Sequence, residues 1–108
     1  MNANQMLNLL SHHQGREHGV SARDLAAISG LSPRRVRLFV SALRAEGIAI
    51  CGTPATGYYI PVTPEELGES CAFLEHRALH SLRLLSRMKN VSLPDLLGQL
   101  RLTEGEGK

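Results

Sequence analysis

The chain has 108 residues, 43% of them hydrophobic, which suffices for one core of ordinary size with an appendage but not for two cores. A formal net charge of +2 and this apolar content exclude disorder for most of the sequence. No apolar run approaches the ~20 residues of a membrane-spanning helix, and the start shows neither the basic residues nor the apolar block of a secretory signal, so a cytoplasmic location is expected. Only Phe39, Tyr58, Tyr59 and Phe73 are aromatic, which leaves the core to Leu, Ile, Val and Ala and argues against a large β-sandwich.

In chain order, Met6, Leu7, Leu9 and Leu10 predict one side of a short helix from near Asn4, ended by the polar stretch Ser11 to Gly19. Ser21 followed by Asp24 is a helix start, with Leu25, Ala26 and Ile28 as its buried face and Gly30 as its stop. Ser32-Pro33 opens a third helix, Ser as cap and Pro in the first turn; Val36, Phe39, Val40 and Leu43 form its buried face, and Glu46-Gly47 ends it. Ile48 to Cys51 and Tyr58 to Ile60 predict a β-hairpin around the loop Gly52 to Gly57. Thr63 with Glu66 reads as a capping box for a fourth helix to Lys89, about 39 Å at 1.5 Å per residue. Ser92 to Leu102 predicts a last short helix, and residues 103–108 a flexible tail. The expected fold class is mainly α with a small β-hairpin, followed by a long C-terminal helix.

Charge is unevenly divided. Met1 to Val62 carries six Arg against three acids, whereas Thr63 to Lys108 carries six bases against seven acids, so the first 62 residues are the candidate polyanion binder. Four of those arginines fall among the eleven positions from Arg34 to Arg44, with no acid between them. Arg34, Arg35, Arg37, Leu38, Ser41 and Arg44 lie mostly on the face opposite the apolar one.

The order helix, helix, Gly-containing turn, helix, hairpin is that of a helix-turn-helix with a wing. The segments Gly19-Val20-Ser21-Ala22-Arg23-Asp24-Leu25-Ala26, Gly30-Leu31-Ser32-Pro33-Arg34-Arg35-Val36, Leu43-Arg44-Ala45-Glu46-Gly47-Ile48 and Gly57-Tyr58-Tyr59-Ile60 carry a resemblance. From Gln5 to Ile60 the chain resembles the winged-helix domain at the N-terminus of biotin-operon-repressor-type proteins, and small phage and bacterial regulators are similar. The resemblance implies that the third helix enters the DNA major groove and the hairpin loop lies along the adjacent backbone. Arginine pairs bidentately with guanine edges and phosphates, so base reading is assigned to Arg34, Arg35 and Leu38, and backbone contact to Ser32, Arg37, Ser41 and Arg44. Free N–H groups at Ser21 and Ala22 are a further phosphate site. The wing loop, with Thr53 and Thr56 but no Lys or Arg, is left to hydroxyls and N–H groups. The competing reading of the arginines is a solvated helix face, which the spacing and one-sided charge disfavour.

On the fourth helix, Leu67, Cys71, Leu74, Ala78, Leu82, Leu85 and Met88 follow steps of three and four, like a coiled-coil seam. The helix either folds back on the core or joins a second copy; in an antiparallel pair Glu65, Glu66, Glu69 and Glu75 face Arg77, Arg83, Arg87 and Lys89 of the other chain. We expect a homodimer presenting two third helices to a palindromic site. The expected domains are 1–62, a winged helix-turn-helix; 63–102, a helical dimerisation element; and the tail.

His76 and His80 stand one helical turn apart without a third metal ligand, and His12, His13 and His18 add only a weak indication of metal binding. Cys51 and Cys71 lack metal or redox spacing and are expected as buried structural thiols. No phosphate loop or nucleophile elbow is present, so no enzyme activity, metal or cofactor is expected. The expected function is sequence-specific binding of double-stranded DNA, as a transcription regulator or a phage or mobile-element replication factor. The alternative is a winged-helix protein adaptor in a replication or segregation complex.

Overall fold

A computed structural model describes residues 1–100 of the chain. In order these form α1 (Ala3–Leu10), a 3-10 turn (Arg16–His18), α2 (Ala22–Ser29), α3 (Pro33–Ala45), β1 (Cys51–Thr53), β2 (Gly57–Tyr59), α4 (Pro64–Lys89) and α5 (Leu93–Leu100). The architecture is mainly helical with one antiparallel hairpin and a long helix after it. No helix among the described residues is long and apolar enough to cross a membrane. The expected tail, and the expected end of the last helix at Leu102, lie outside the described residues.

Local chemistry sets the helix starts. Asn2 caps α1 in a reciprocal arrangement with Gln5: the Asn2 side chain accepts the Gln5 N–H at 2.9 Å and the Gln5 side chain accepts the Asn2 N–H at 2.8 Å. The Ser21 and Ser32 hydroxyls accept the N–H groups of Asp24 and Arg35 at 3.0 and 3.2 Å. Gly30, at φ 78°, ends α2.

The chain divides into two compact units, the first Met1–Ala72 and the second from Phe73 onward, so the first extends past Val62 into α4. In the first unit, α1 and α2 pack on α3. Met6, Leu10, Leu25, Val36, Val40, Leu43 and Ile50 form the core, with Phe39 half-buried against it. Ile28, expected inside, is instead 58% exposed; only Leu25 and Ala26 are buried in the short α2.

The hairpin starts later than expected. Cys51, Gly52 and Thr53 pair with Tyr59, Tyr58 and Gly57, so Ile48 to Ile50 serve as a lead-in whose Ile50 is buried in the core. The loop after α1 joins the hairpin at two points: Val20 exchanges both backbone hydrogen bonds with Tyr58, at 2.8 and 2.7 Å, and Gln14 bridges Ile60, which donates its N–H to the His13 carbonyl and accepts the Gly15 N–H, both at 2.8 Å. Close approach requires glycine at this joint. A Cβ on Gly57, at φ 74°, would lie 2.6 Å from the Val20 carbonyl carbon, and one on Gly19 would lie 1.9 Å from the Thr56 carbonyl oxygen.

The first turns of α4 bond to this unit through polar side chains. Thr63 Oγ1 accepts the Glu66 N–H at 3.1 Å, but the Glu66 carboxylate does not return to Thr63. It accepts the N–H groups of Val62 and Arg16, both at 2.9 Å, bridging the helix start to the loop after α1. These N–H donors hold the Glu66 carboxyl below its ordinary pKa. Gly52 N–H donates to the Ser70 hydroxyl at 3.1 Å, and Arg16 pairs with Glu69. Cys51 is buried, which raises its thiol pKa, whereas Cys71 is exposed, contrary to expectation.

In the second unit, Asn90 adopts φ 57° at the end of α4 and Ser92 caps α5 by accepting the Asp95 N–H at 3.2 Å. Leu96 of α5 is fully buried.

Candidate nucleic-acid interface

The candidate surface is built on α3. Its apolar residues Val36, Val40 and Leu43 are buried, and at 100° per residue this turns Arg34, Leu38 and Ser41 to the opposite side, with Arg35 and Arg37 at its margins. All five are exposed. Among the described residues no carboxylate pairs with Arg34, Arg35 or Arg37, so their charge is available to an anion. Arg35 rests its guanidinium 5.8 Å from the Phe39 ring centre, an exposed cation–π contact of about 0.5–1 kcal/mol that a phosphate or base edge can displace. Leu38 is 55% exposed in the middle of this basic surface.

Arg44 is a correction. Its position near the last turn of α3 looks outward by spacing, yet its Nε donates to the Ile50 carbonyl at 2.7 Å and its guanidinium lies 5.8 Å from the Tyr58 ring centre. Its Nη2 is buried without a hydrogen-bond partner. The side chain ties the end of α3 to the hairpin, so its guanidinium is engaged within the chain rather than standing free as the spacing suggests. The reason is geometric: the chain reverses at Gly47, φ 91°, and brings an unpaired carbonyl and an aromatic face within reach of the arginine.

The wing threonines are a second correction. Thr53 N–H donates to Thr56 Oγ1 at 3.1 Å, Thr56 N–H donates to Thr53 Oγ1 at 3.2 Å, and the two hydroxyls lie 3.2 Å apart. Thr56 Oγ1 also donates to the Gly57 carbonyl at 2.9 Å. These groups close the turn upon itself, so the hairpin tip presents Pro54 and Ala55, both exposed, rather than free hydroxyls.

The two capping serines keep a use. Each hydroxyl at Ser21 and Ser32 accepts an N–H and retains its own proton as a donor. Ala22 is half-buried against the core and offers its backbone N–H alone. Asp24 in the same first turn sets a negative charge beside that site, which weakens it as a phosphate position.

On α4 the expected seam is uncovered in the single chain. Leu67, Cys71, Leu74, Ala78 and Met88 are exposed, Met88 by 84%, while Leu82 and Leu85 are half-buried. The buried residues of this helix are polar, Glu66 and Ser70. Two of the four acids expected to face a second chain, Glu66 and Glu69, are engaged within their own chain. The roles of Glu66, Ser70 and Val20 were not legible: a single β-branched residue between Gly19 and Ser21 carries no alternation, and Ser70 has the look of an exposed helix serine.

No family model, curated protein or solved structure matches the chain.

Proposed function

We propose that the chain is a winged helix-turn-helix protein of the cytoplasm that binds double-stranded DNA sequence-specifically through α3, as a transcription regulator or a replication factor of a phage or mobile element. The observation that carries this is the outward face of α3, where Arg34, Arg35 and Arg37 stand exposed with no carboxylate partner among the described residues. Support also comes from the short turn at Gly30 and Leu31 between α2 and α3, and from the hairpin that follows. In this reading Arg34, Arg35 and Leu38 read base edges, while Arg37, Ser32 and Ser41 position the backbone.

The partner on α4 is a second copy. Burying polar Glu66 and Ser70 while leaving Leu67 and Leu74 each 40% exposed fits a helix whose apolar side is covered in an assembly. Glu65 and Glu75 precede Arg77, Arg83, Arg87 and Lys89, so an antiparallel copy opposes unlike charges. Leu67→Glu with Leu74→Glu halves the sedimenting mass if this is so; unchanged dimeric mass, or a parent that is monomeric, removes the dimer.

Substituting Arg34 and Arg35 together by Ala tests the DNA surface. Affinity for a selected duplex falls by about 1–3 kcal/mol for each arginine that pairs bidentately with a base, with folding intact by circular dichroism. Undiminished affinity in the double variant overturns the assignment of α3.

A further inference from the structure

We infer that Leu38 selects a thymine, by its C5-methyl group, at a fixed short distance from a guanine read by Arg34; the inference rests on α3 being the DNA-reading helix. Leu38 is a large aliphatic side chain, 55% exposed, at the middle of a surface whose other side chains are arginine, serine and alanine. Nothing in its own unit needs it there, because the core of α3 is completed by Val36, Val40 and Leu43. A leucine cannot donate or accept a hydrogen bond, so against the polar major-groove edges of guanine, adenine or cytosine it desolvates groups without pairing them. Thymine alone among the four bases offers an apolar group there. The surrounding arginines, complementary to phosphate, bring the side chain to the groove floor rather than to a protein surface.

The spacing follows from the helix. Arg34 and Leu38 are one turn apart on the same side, about 6 Å along the axis. Successive bases on one strand are about 3.4 Å apart, so the two side chains address bases about two steps from each other. Ser41, the next residue along this row, is short enough to let the helix approach closely. Ala42 and Ala45, beyond it, add no bulk. Discrimination is therefore concentrated in the first half of α3.

The test uses the full chain and duplexes enriched from a random-sequence pool at low salt. Each thymine of an enriched duplex is replaced in turn by uracil, which keeps base pairing and removes only the methyl group. The expected result is a loss of about fourfold at one thymine per half-site, within about two base pairs of a guanine, which is the effect of burying one methyl. In Leu38→Ala, which leaves the helix-forming tendency and the core untouched, that thymine and uracil bind equally. An equal loss in parent and Leu38→Ala, or no uracil effect at any position, overturns the assignment of Leu38 while α3 still binds the pool in a salt-dependent way. Failure of the chain to bind the pool at low salt overturns both readings.

Discussion

Ser70→Ala removes one oxygen atom from a helix and is expected to unfold the first unit more readily than any other serine substitution on α4. Ser70 is 3% exposed and its hydroxyl accepts the N–H of Gly52, itself buried in β1. Without the hydroxyl that N–H is left buried and unpaired, at a cost of about 1–3 kcal/mol, from which a few tenths are offset because Ala forms helix better than Ser. For a domain near this size each kcal/mol lowers Tm by about 4–8 °C, so the fall is roughly 2–20 °C. Ser41→Ala, an exposed position on α3 of the same unit, carries the helix-propensity gain without the loss. Tyr58 and Tyr59 are the only tyrosines and both lie in β2, and the chain has no Trp, so tyrosine fluorescence during urea unfolding reports this unit. Protein concentration is held fixed between variants, because association shifts apparent stability. Ser70→Ala within about 0.5 kcal/mol of Ser41→Ala would refute the view that α4 is held to the hairpin by its buried polar side chains.

Glycine substitutions separate in sign: Gly68→Ala, whose Cβ meets nothing within 4 Å on exposed α4, stabilises by about 0.5–1 kcal/mol, whereas Gly19→Ala destabilises because its Cβ falls on the Thr56 carbonyl oxygen. The same urea titration reads both, and a stable Gly19→Ala contradicts the joint described between loop and hairpin. The Glu66 carboxyl is held below its ordinary value of 4.5, so its stabilisation is complete above that pH and disappears as pH falls through the lowered value. Glu66→Gln is therefore less stable at neutral pH and loses less on acidification; a parallel pair of stability–pH curves speaks against the two N–H donors. Arg44→Ala costs stability, about 1–3 kcal/mol from the bond to Ile50 and the Tyr58 contact, and leaves the salt dependence of DNA binding unchanged, while Arg37→Ala does the reverse. Equal effects of the two substitutions on binding would restore Arg44 to the DNA surface.

What could be read in advance was local. Ser21, Gly30, Ser32-Pro33 and Thr63 mark helix limits through contacts made within three or four residues, and those limits are where the structure has them. Long reach defeated the same reasoning. Glu66 has the spacing of a capping-box glutamate, but its carboxylate serves Arg16, fifty residues earlier, and that partner is set by the path of the loop after α1. Arg34 and Arg44 are the same residue type on one helix; only the Ile50 carbonyl and the Tyr58 ring, both beyond the helix, turn one inward. The hairpin slipped by a few residues because β-prone Ile48 and Ile50 look like strand, while Gly52 and Gly57, poor strand formers, are selected by close backbone approach. The α4 stripe was visible as a periodicity, yet periodicity cannot show that Glu66 and Ser70 are the residues buried.

Binding of the purified chain to random duplex DNA at about 50 and 200 mM salt is the decisive measurement. Arg44 is turned inward, so on a random duplex, where no base is selected, each copy of the chain is expected to neutralise phosphates with the three α3 arginines 34, 35 and 37. With a slope near 0.9 per phosphate neutralised, affinity falls about 40-fold over this range for one protomer and about 2,000-fold for two acting together. Affinity that does not change with salt, or no binding at the lower concentration, would contradict α3 as a DNA-binding surface.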